Sequence, residues 1–447
     1  MKNRKSGVNL LLVLEALLLI AVLVLGLFQG AKGAIKDLNN NTQNNVVADS
    51  ESKESSQPSE DTQNTEEDSN SSEDTQQEDT SSTEEDTDMW GISADYTEDR
   101  IQFSEKAESL LASLTIEQKV AQLFLITPEK HTGYSQVTVF GSTSKKSFDR
   151  CPVGGFVYGK TNFQNKQQVQ SLLKKAIAYS QSKLGIPVFT AIEEEGGEHY
   201  LPLATALKYQ KTDLASTLAA QGDSSLVEKS AQHRVNYLKT NAFNLMLTTV
   251  ADISKTMDTD YALRTYGTDV MSVAEMVETD IGTIEGAGLN ATLKYFPGKA
   301  SAVANTQGIL EDKQTQIQLT NGNLVSYQAG IDAGASFVMV ANVITESVTG
   351  DAKVPCTLSN KTVGLLREVM GFDGVIITDN FSDESFVSVY GNEDACVKAI
   401  QAGMDMIYMP KDFNKAYQAV LAAVKSGAIT QERLDNAVGR ILTAKGI

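Results

Sequence analysis

The sequence predicts an α/β chain whose globular part is one (β/α)8 TIM-type barrel, preceded by an N-terminal transmembrane helix and a disordered acidic linker. Three observations carry this expectation. After Trp90, eight short apolar runs with strand character alternate with amphipathic helical stretches, the count of such a barrel. Before Trp90 the chain is almost free of aromatic and branched apolar residues for some fifty positions, with acidic residues in their place. Ahead of that stretch lies one long apolar run flanked by positive charge.

Taken in order, residues 1–9 form a basic tail holding Lys2, Arg4 and Lys5. Residues 10–28 are apolar apart from Glu15; at helical rise they reach about 29 Å, roughly one bilayer core. The basic flank should stay in the cytoplasm, giving a single-pass cell-membrane protein with its barrel extracytoplasmic. A cleaved signal peptide is the competing reading, with the poor processing site AKGA at 31–34. Glu15 at membrane depth is costly; it marks a helix partner or is tolerated through local water.

Residues 29–98 read as a solvated Ser/Thr/Asp/Glu-rich stalk, because such a composition cannot bury enough surface to offset its ordering entropy. The net charge of −19 belongs largely to it: between Asp49 and Asp88 sixteen acidic residues face one lysine, leaving −4 for the rest. With a nearly neutral globular part and no basic patch, nucleic-acid binding is excluded as an expectation. Cys151, Cys356 and Cys396 are too few and odd in number for a disulfide framework and read as small buried apolar residues.

The barrel is expected over residues 99–447. Its strands should lie in VAQLFLI (120–126), GGFVYG (154–159), PVFTAI (187–192), FNLMLTTV (243–250), NATLKYF (290–296), SFVMVANV (336–343), GVIITD (374–379) and MDMIYM (404–409). Helices should lie at 165–183, 273–288, 362–370, 412–427 and 431–446. Chemistry in such barrels sits at the C-terminal strand ends. That rule selects Glu193, Glu194 and Glu195, Asp252, Lys294 and its loop, Asn342, Asp379, Asn380 and Pro410. The three glutamates with His199 lack metal-ligand spacing, so no metal or other cofactor is expected.

The segments SLTIEQKVAQLFLI, AIEEEGGE, RTYGTD, LKYFPG and GFDGVIITDNFS occur in order across residues 100–447. Together they resemble family 3 glycoside hydrolases, in the subset of single-domain bacterial β-N-acetylhexosaminidases. The resemblance implies retaining hydrolysis of a terminal β-linked sugar by a carboxylate nucleophile and an acid/base. It places the nucleophile at Asp379. It assigns sugar contacts to Glu193, Arg264, Lys294 and Tyr295, for the sugar or its acetamido group; a structural ion pair with strand-end carboxylates is the other reading of Arg264 and Lys294.

The acid/base of that subset is an Asp–His pair on the loop after strand five, and its positions here read Asn305 and Gln307. Neither amide can donate or recover a proton near neutral pH, a loss that typically costs about 10²–10⁴-fold. The subset's HGD triplet reads Lys299, Ala300 and Ser301; Glu198 stands for an Arg, and Asn380 for a second Asp. His199, just past the EEEGG turn, is the surrogate acid the sequence offers, with Glu311 and Glu384 as others.

The implied ligand is carbohydrate, of N-acetylglucosamine type or peptidoglycan-derived, with the membrane engaged through the N-terminal helix and a protein partner through anchor or stalk. The leading expectation is a degenerate family 3-like barrel that binds cell-wall glycan or a partner rather than hydrolysing efficiently. The alternative is an active or impaired retaining β-N-acetylglucosaminidase; an unrelated barrel is the third reading.

Overall fold

The computed structural model describes residues 88–447. Among them eight parallel strands form one sheet: β1 (Phe124–Ile126), β2 (Gly155–Val157), β3 (Phe189–Ile192), β4 (Leu245–Met246) and β5 (Asn290–Phe296), then β8 (Phe337–Val340), β10 (Val375–Thr378) and β11 (Ile407–Tyr408). Neighbours follow chain order, and β1 pairs with β11 in the register Phe124↔Ile407. The ring is nearly closed, with a single bridge, Ile377↔Met406, joining β10 to the β11 segment. Each strand falls inside its expected run. The strands are buried throughout apart from Asn290 at the start of β5, since helices cover the outside and side chains fill the inside.

The helices begin and end where local chemistry dictates. Asn165 caps Lys166–Leu184 by accepting from Gln168 N, and Gly185 closes it at φ 71°. Asp269 caps Val270–Gly286, whose Val273, Val277, Ile281 and Ile284 are buried at helical spacing. The stretch 362–370, expected as one helix, is a short α-helix to Gly364 followed by one π-helical turn, Leu365–Val369. All three cysteines are unpaired and buried.

Two features add to the expected pattern. The loop after β5 forms a hairpin, β6 (Val303–Ala304) with β7 (Leu310–Asp312), and β7 pairs parallel with β9 (Val343–Thr345). Gly308, Ile309 and Leu310 of this hairpin border the cavity at the C-terminal mouth. Residues 88–98, which the sequence assigns to the stalk, lie against the barrel: Trp90 Nε1 donates to Ser347 O at 2.7 Å. Glu98 joins Asp405 in a buried network with Arg367, Arg433 and Arg440. Broken on one side, such a network leaves desolvated charge, so it fixes this segment on the barrel floor. The expected membrane span, Leu10–Phe28, and the acidic stalk up to Thr87 lie outside the described residues. Among those described, no helix is long and apolar enough to cross a membrane.

Candidate active site

The C-terminal end of β3 delivers three successive glutamates with different fates. The turn that follows needs Gly196, at φ 153°, because a Cβ there would meet Asp213 O at 2.3 Å. Glu194 turns away from the mouth and accepts from Leu203 N (3.0 Å), Ala204 N (2.8 Å) and Tyr237 OH (2.9 Å). It thereby holds the start of the helix Pro202–Leu207; its burial pushes the carboxyl up to about 7. Glu195 lies 2.6 Å from both Arg264 Nη2 and Lys294 Nζ. Burial alone would raise its pKa, but the Lys294 and Arg264 cations outweigh that and hold it down at about 2. Glu193 faces the mouth and accepts from Tyr408 OH at 3.2 Å.

Arg264 lies among the rings of Tyr200, Tyr261 and Tyr295, with centroids 4.9, 5.5 and 5.8 Å from its guanidinium carbon. It also donates to Tyr295 OH at 3.2 Å. Lys294 is fully buried and donates to Leu247 O at 2.7 Å. Both cations thus stand in the wall behind Glu195, and neither lines the cavity at the mouth. Tyr295 does line it.

The loop after β5 is held by Asp252, at the end of the β4 segment. Its carboxylate accepts from Tyr261 OH and Tyr327 OH (both 2.7 Å) and from the backbone N–H groups of Tyr295, Lys299 and Ala300 (3.2, 2.7 and 3.0 Å). The turn between needs Gly298, at φ 122°, since a Cβ would fall 1.9 Å from Asn323 Nδ2. Asn305 is absorbed by the hairpin: its Oδ1 accepts from Gln307 N (2.9 Å) and Ile309 N (3.1 Å), while Nδ2 donates to Glu311 at 2.8 Å. Gln307 is exposed at the tip, and neither residue lines the cavity. Glu311 is paired with Lys313 at 2.7 Å, and Glu384 with Lys411 at 2.6 Å.

Asp379 stands at the end of β10. Its Oδ1 accepts from Asn380 N (2.8 Å), and its Oδ2 from Lys299 Nζ (3.0 Å). It borders a cavity of about 380 Å³ with Glu193, Tyr295, Lys299, Asn342, Phe386 and Tyr408 around it. An adjoining cleft of about 280 Å³ shares Glu193 and Tyr408 and holds the exposed His199. His199 does not line the cavity of Asp379. His131 is buried among aromatic rings, and His233 sits on the helix Ser224–Thr240.

Sequence reasoning gave Lys299 no role. The ammonium lies 3.3 Å from the Tyr295 ring centroid as well as 3.0 Å from Asp379. The signal available was its place, directly after the YFPG turn that enters the mouth. Chemically, the site presents a carboxylate where a barrel enzyme keeps its reactive groups, with an ammonium beside it. The other carboxylates lining the cavity are Glu193 and Asp383, and Asp383 caps the helix Glu384–Tyr390 through Phe386 N at 2.9 Å.

Comparison with known proteins agrees with this geometry. A β-N-acetylglucosaminidase/β-glucosidase of Cellulomonas fimi is 27% identical over 278 residues, covering 59% of this chain; the chain spans about half (48%) of that relative's length. A β-hexosaminidase of Xanthomonas oryzae is 27% identical over 282 residues, covering 60% of this chain and 80% of its own. Among solved structures, a family 3 β-N-acetylglucosaminidase from a Paenibacillus species superposes with a TM-score of 0.68 at 28% identity, covering 74% of this chain and 62% of its own. A β-N-acetylhexosaminidase from Beutenbergia cavernae shares the fold, with a TM-score of 0.66 at 24% identity, covering 75% of this chain and 99% of its own. The model of the glycosyl hydrolase family 3 N-terminal domain matches residues 115–444. With that span, with Asp379 at the end of a barrel strand and with β-hexosaminidases among its relatives, the chain belongs to glycosyl hydrolase family 3 and is of the β-N-acetylhexosaminidase-like type.

Proposed function

We propose that this chain is a membrane-anchored, extracytoplasmic family 3 barrel that binds cell-wall glycan of the N-acetylglucosamine type at its mouth and hydrolyses it poorly. The observation that carries the reading is the occupation of Asp379: both carboxylate oxygens are engaged, one by a lysine ammonium. The loop positions that the resemblance gives to the acid/base hold amides, and the structure commits Asn305 to a turn and puts Gln307 outside the cavity. Departure of an ordinary sugar alcohol needs a proton at the glycosidic oxygen, and neither dyad position offers one. The cavity remains polar and is bordered by Tyr295, Tyr408 and Phe386, faces suited to a sugar ring. Anchor and stalk would hold the barrel beside wall-derived glycan, with protein partners reached through the same segments.

The second reading is an impaired retaining β-N-acetylglucosaminidase, favoured by the placement of Asp379 at the strand end of the cavity. One experiment separates the two. The 2,4-dinitrophenyl β-N-acetylglucosaminide loses its phenolate without needing a proton, so the first-turnover burst of release reads the nucleophile alone. Residues 88–447 are assayed beside Asp379→Asn, while binding of N,N′-diacetylchitobiose is followed by titration calorimetry. The binding reading expects heat of binding with little or no release above the variant. Rapid release from the aryl glycoside and from chitobiose, lost in Asp379→Asn, would overturn it in favour of the enzyme.

A further inference from the structure

We propose that Lys299 is a charge lock on Asp379: a positioning residue whose ammonium, rather than the missing acid alone, keeps this carboxylate from attacking an anomeric carbon. The inference rests on reading Asp379 as the nucleophile position. It goes beyond that reading by naming the residue that sets the carboxylate's reactivity.

The lock is built rather than incidental. The backbone N–H of Lys299 is fixed on Asp252 at 2.7 Å, and that of Ala300 at 3.0 Å, so the start of its side chain is set by the same carboxylate that gathers Tyr261 and Tyr327. The Gly298 turn ahead of it admits no Cβ. The ammonium lies 3.3 Å from the Tyr295 ring centroid and donates to Asp379 Oδ2 at 3.0 Å. Side-chain exposure is 18% for Lys299 and 14% for Asp379, so water screens the pair little. Burial opposes the cation, yet the Asp379 carboxylate beside it raises its pKa above the ordinary lysine value.

The chemical consequence follows from the step Asp379 would perform. A carboxylate oxygen forms a bond to the anomeric carbon while the bond to the departing oxygen breaks and its electron pair leaves with that oxygen. Water later attacks the same carbon, returning the carboxylate and passing its proton to bulk solvent. Positive charge develops on the sugar ring in the transition state of each step. A fixed ammonium beside the nucleophile ties up its lone pair and repels that charge, whereas it does not oppose a neutral sugar in its ground state. The site therefore tolerates the ligand and penalises the transition state.

The test is dinitrophenolate release from the β-N-acetylglucosaminide by the full chain carrying Lys299→Met, Lys299→Gln or Lys299→Arg, each checked for cooperative thermal unfolding. Met keeps the apolar stem over Tyr295 and Gln keeps a neutral donor, so one serves if the other folds poorly; Arg keeps the charge. The expected result is at least tenfold faster release in kcat from Met or Gln. That gain is abolished by adding Asp379→Asn, and Arg, which keeps the charge, gains much less than Met or Gln. Equal rates in wild type, Met and Gln would overturn the lock while leaving the glycan-binding reading standing. A gain in Arg equal to that in Met would also overturn it, since the effect would then be steric. The wild-type rate tests the proposed function; the ratio of variant to wild type tests the lock.

Discussion

Glu195 stands 2.6 Å from Arg264 Nη2 and 2.6 Å from Lys294 Nζ, one carboxylate bridging two cations at the end of the third barrel strand. Lys294 has no exposure and Arg264 little, so removing Glu195 strands two positive charges in a wall that water barely reaches. Breaking a buried pair from one side costs about 3–5 kcal/mol. Glu195→Gln should therefore lower stability by that order, seen as an earlier midpoint in urea unfolding. Its pH dependence has a definite sign. With a folded pKa near 2 against an ordinary 4.5, the stabilisation is complete above about pH 4.5 and is lost as pH falls toward 2. The variant should lack that acid limb; a variant as stable as wild type at pH 7 would show that the cations find other partners.

A second titration lies away from the mouth. His131 is 4% exposed, shares Nε2–H with Cys151 O at 2.8 Å, and leaves Nδ1 buried without a partner. Burial among the rings of Phe148, Phe156 and Phe413 pushes its pKa down to about 4 from 6.5. The depressed value means protonation opposes folding: stability is full above pH 6.5 and falls as pH drops toward 4. The loss approaches about 3 kcal/mol, at about 1.4 kcal/mol per pKa unit. Glu194, raised to about 7, has the opposite slope in part of this window, so the comparison must be differential. The stability of wild type minus that of His131→Gln, measured from pH 7.5 to 4, should fall with pH; a flat difference would refute the assignment.

The fold was legible because its signal is local and repeated. Each strand of the barrel is a short apolar run, so run counting located Phe189–Ile192 and Asn290–Phe296 almost to the residue. The π-turn at Leu365–Val369 is not visible in the sequence because Val363, Leu366 and Met370 still recur there at α-helical spacing. At the site, motif order placed Asp379 and Glu193 on the cavity, yet spacing does not say which cation a carboxylate will choose. Lys294 paired with Glu195 in the wall, and Lys299, five residues on, crossed the mouth to Asp379. That partition depends on how Asp252 folds the YFPG turn, a contact between β4 and β5 that no single stretch of sequence displays. The hairpin at 303–312 was hidden for a similar reason: Val303 and Ala304 are exposed, and only pairing with Leu310–Asp312 and Val343–Thr345 makes the segment a sheet.

That hairpin sets the outcome of the obvious repair. Restoring an acid/base dyad by Asn305→Asp with Gln307→His assumes that the loop would present both groups to the cavity. Here Asn305 Oδ1 closes the turn on Gln307 N and Ile309 N, a role Asp can keep, but its Nδ2 donates to Glu311 at 2.8 Å. In Asn305→Asp that contact becomes two facing carboxylates, a repulsion that the nearby Lys313 relieves only in part. The single substitution should destabilise the domain, and Glu311→Gln should recover most of the loss, a coupling measurable by a double-mutant cycle. The repaired dyad alone should leave hydrolysis of 4-nitrophenyl β-N-acetylglucosaminide within tenfold of wild type, because Lys299 still holds Asp379 and position 307 lies outside the cavity. A gain of a hundredfold or more from Asn305→Asp with Gln307→His would show instead that the hairpin folds over the mouth when sugar is bound, and that the acid was the missing part.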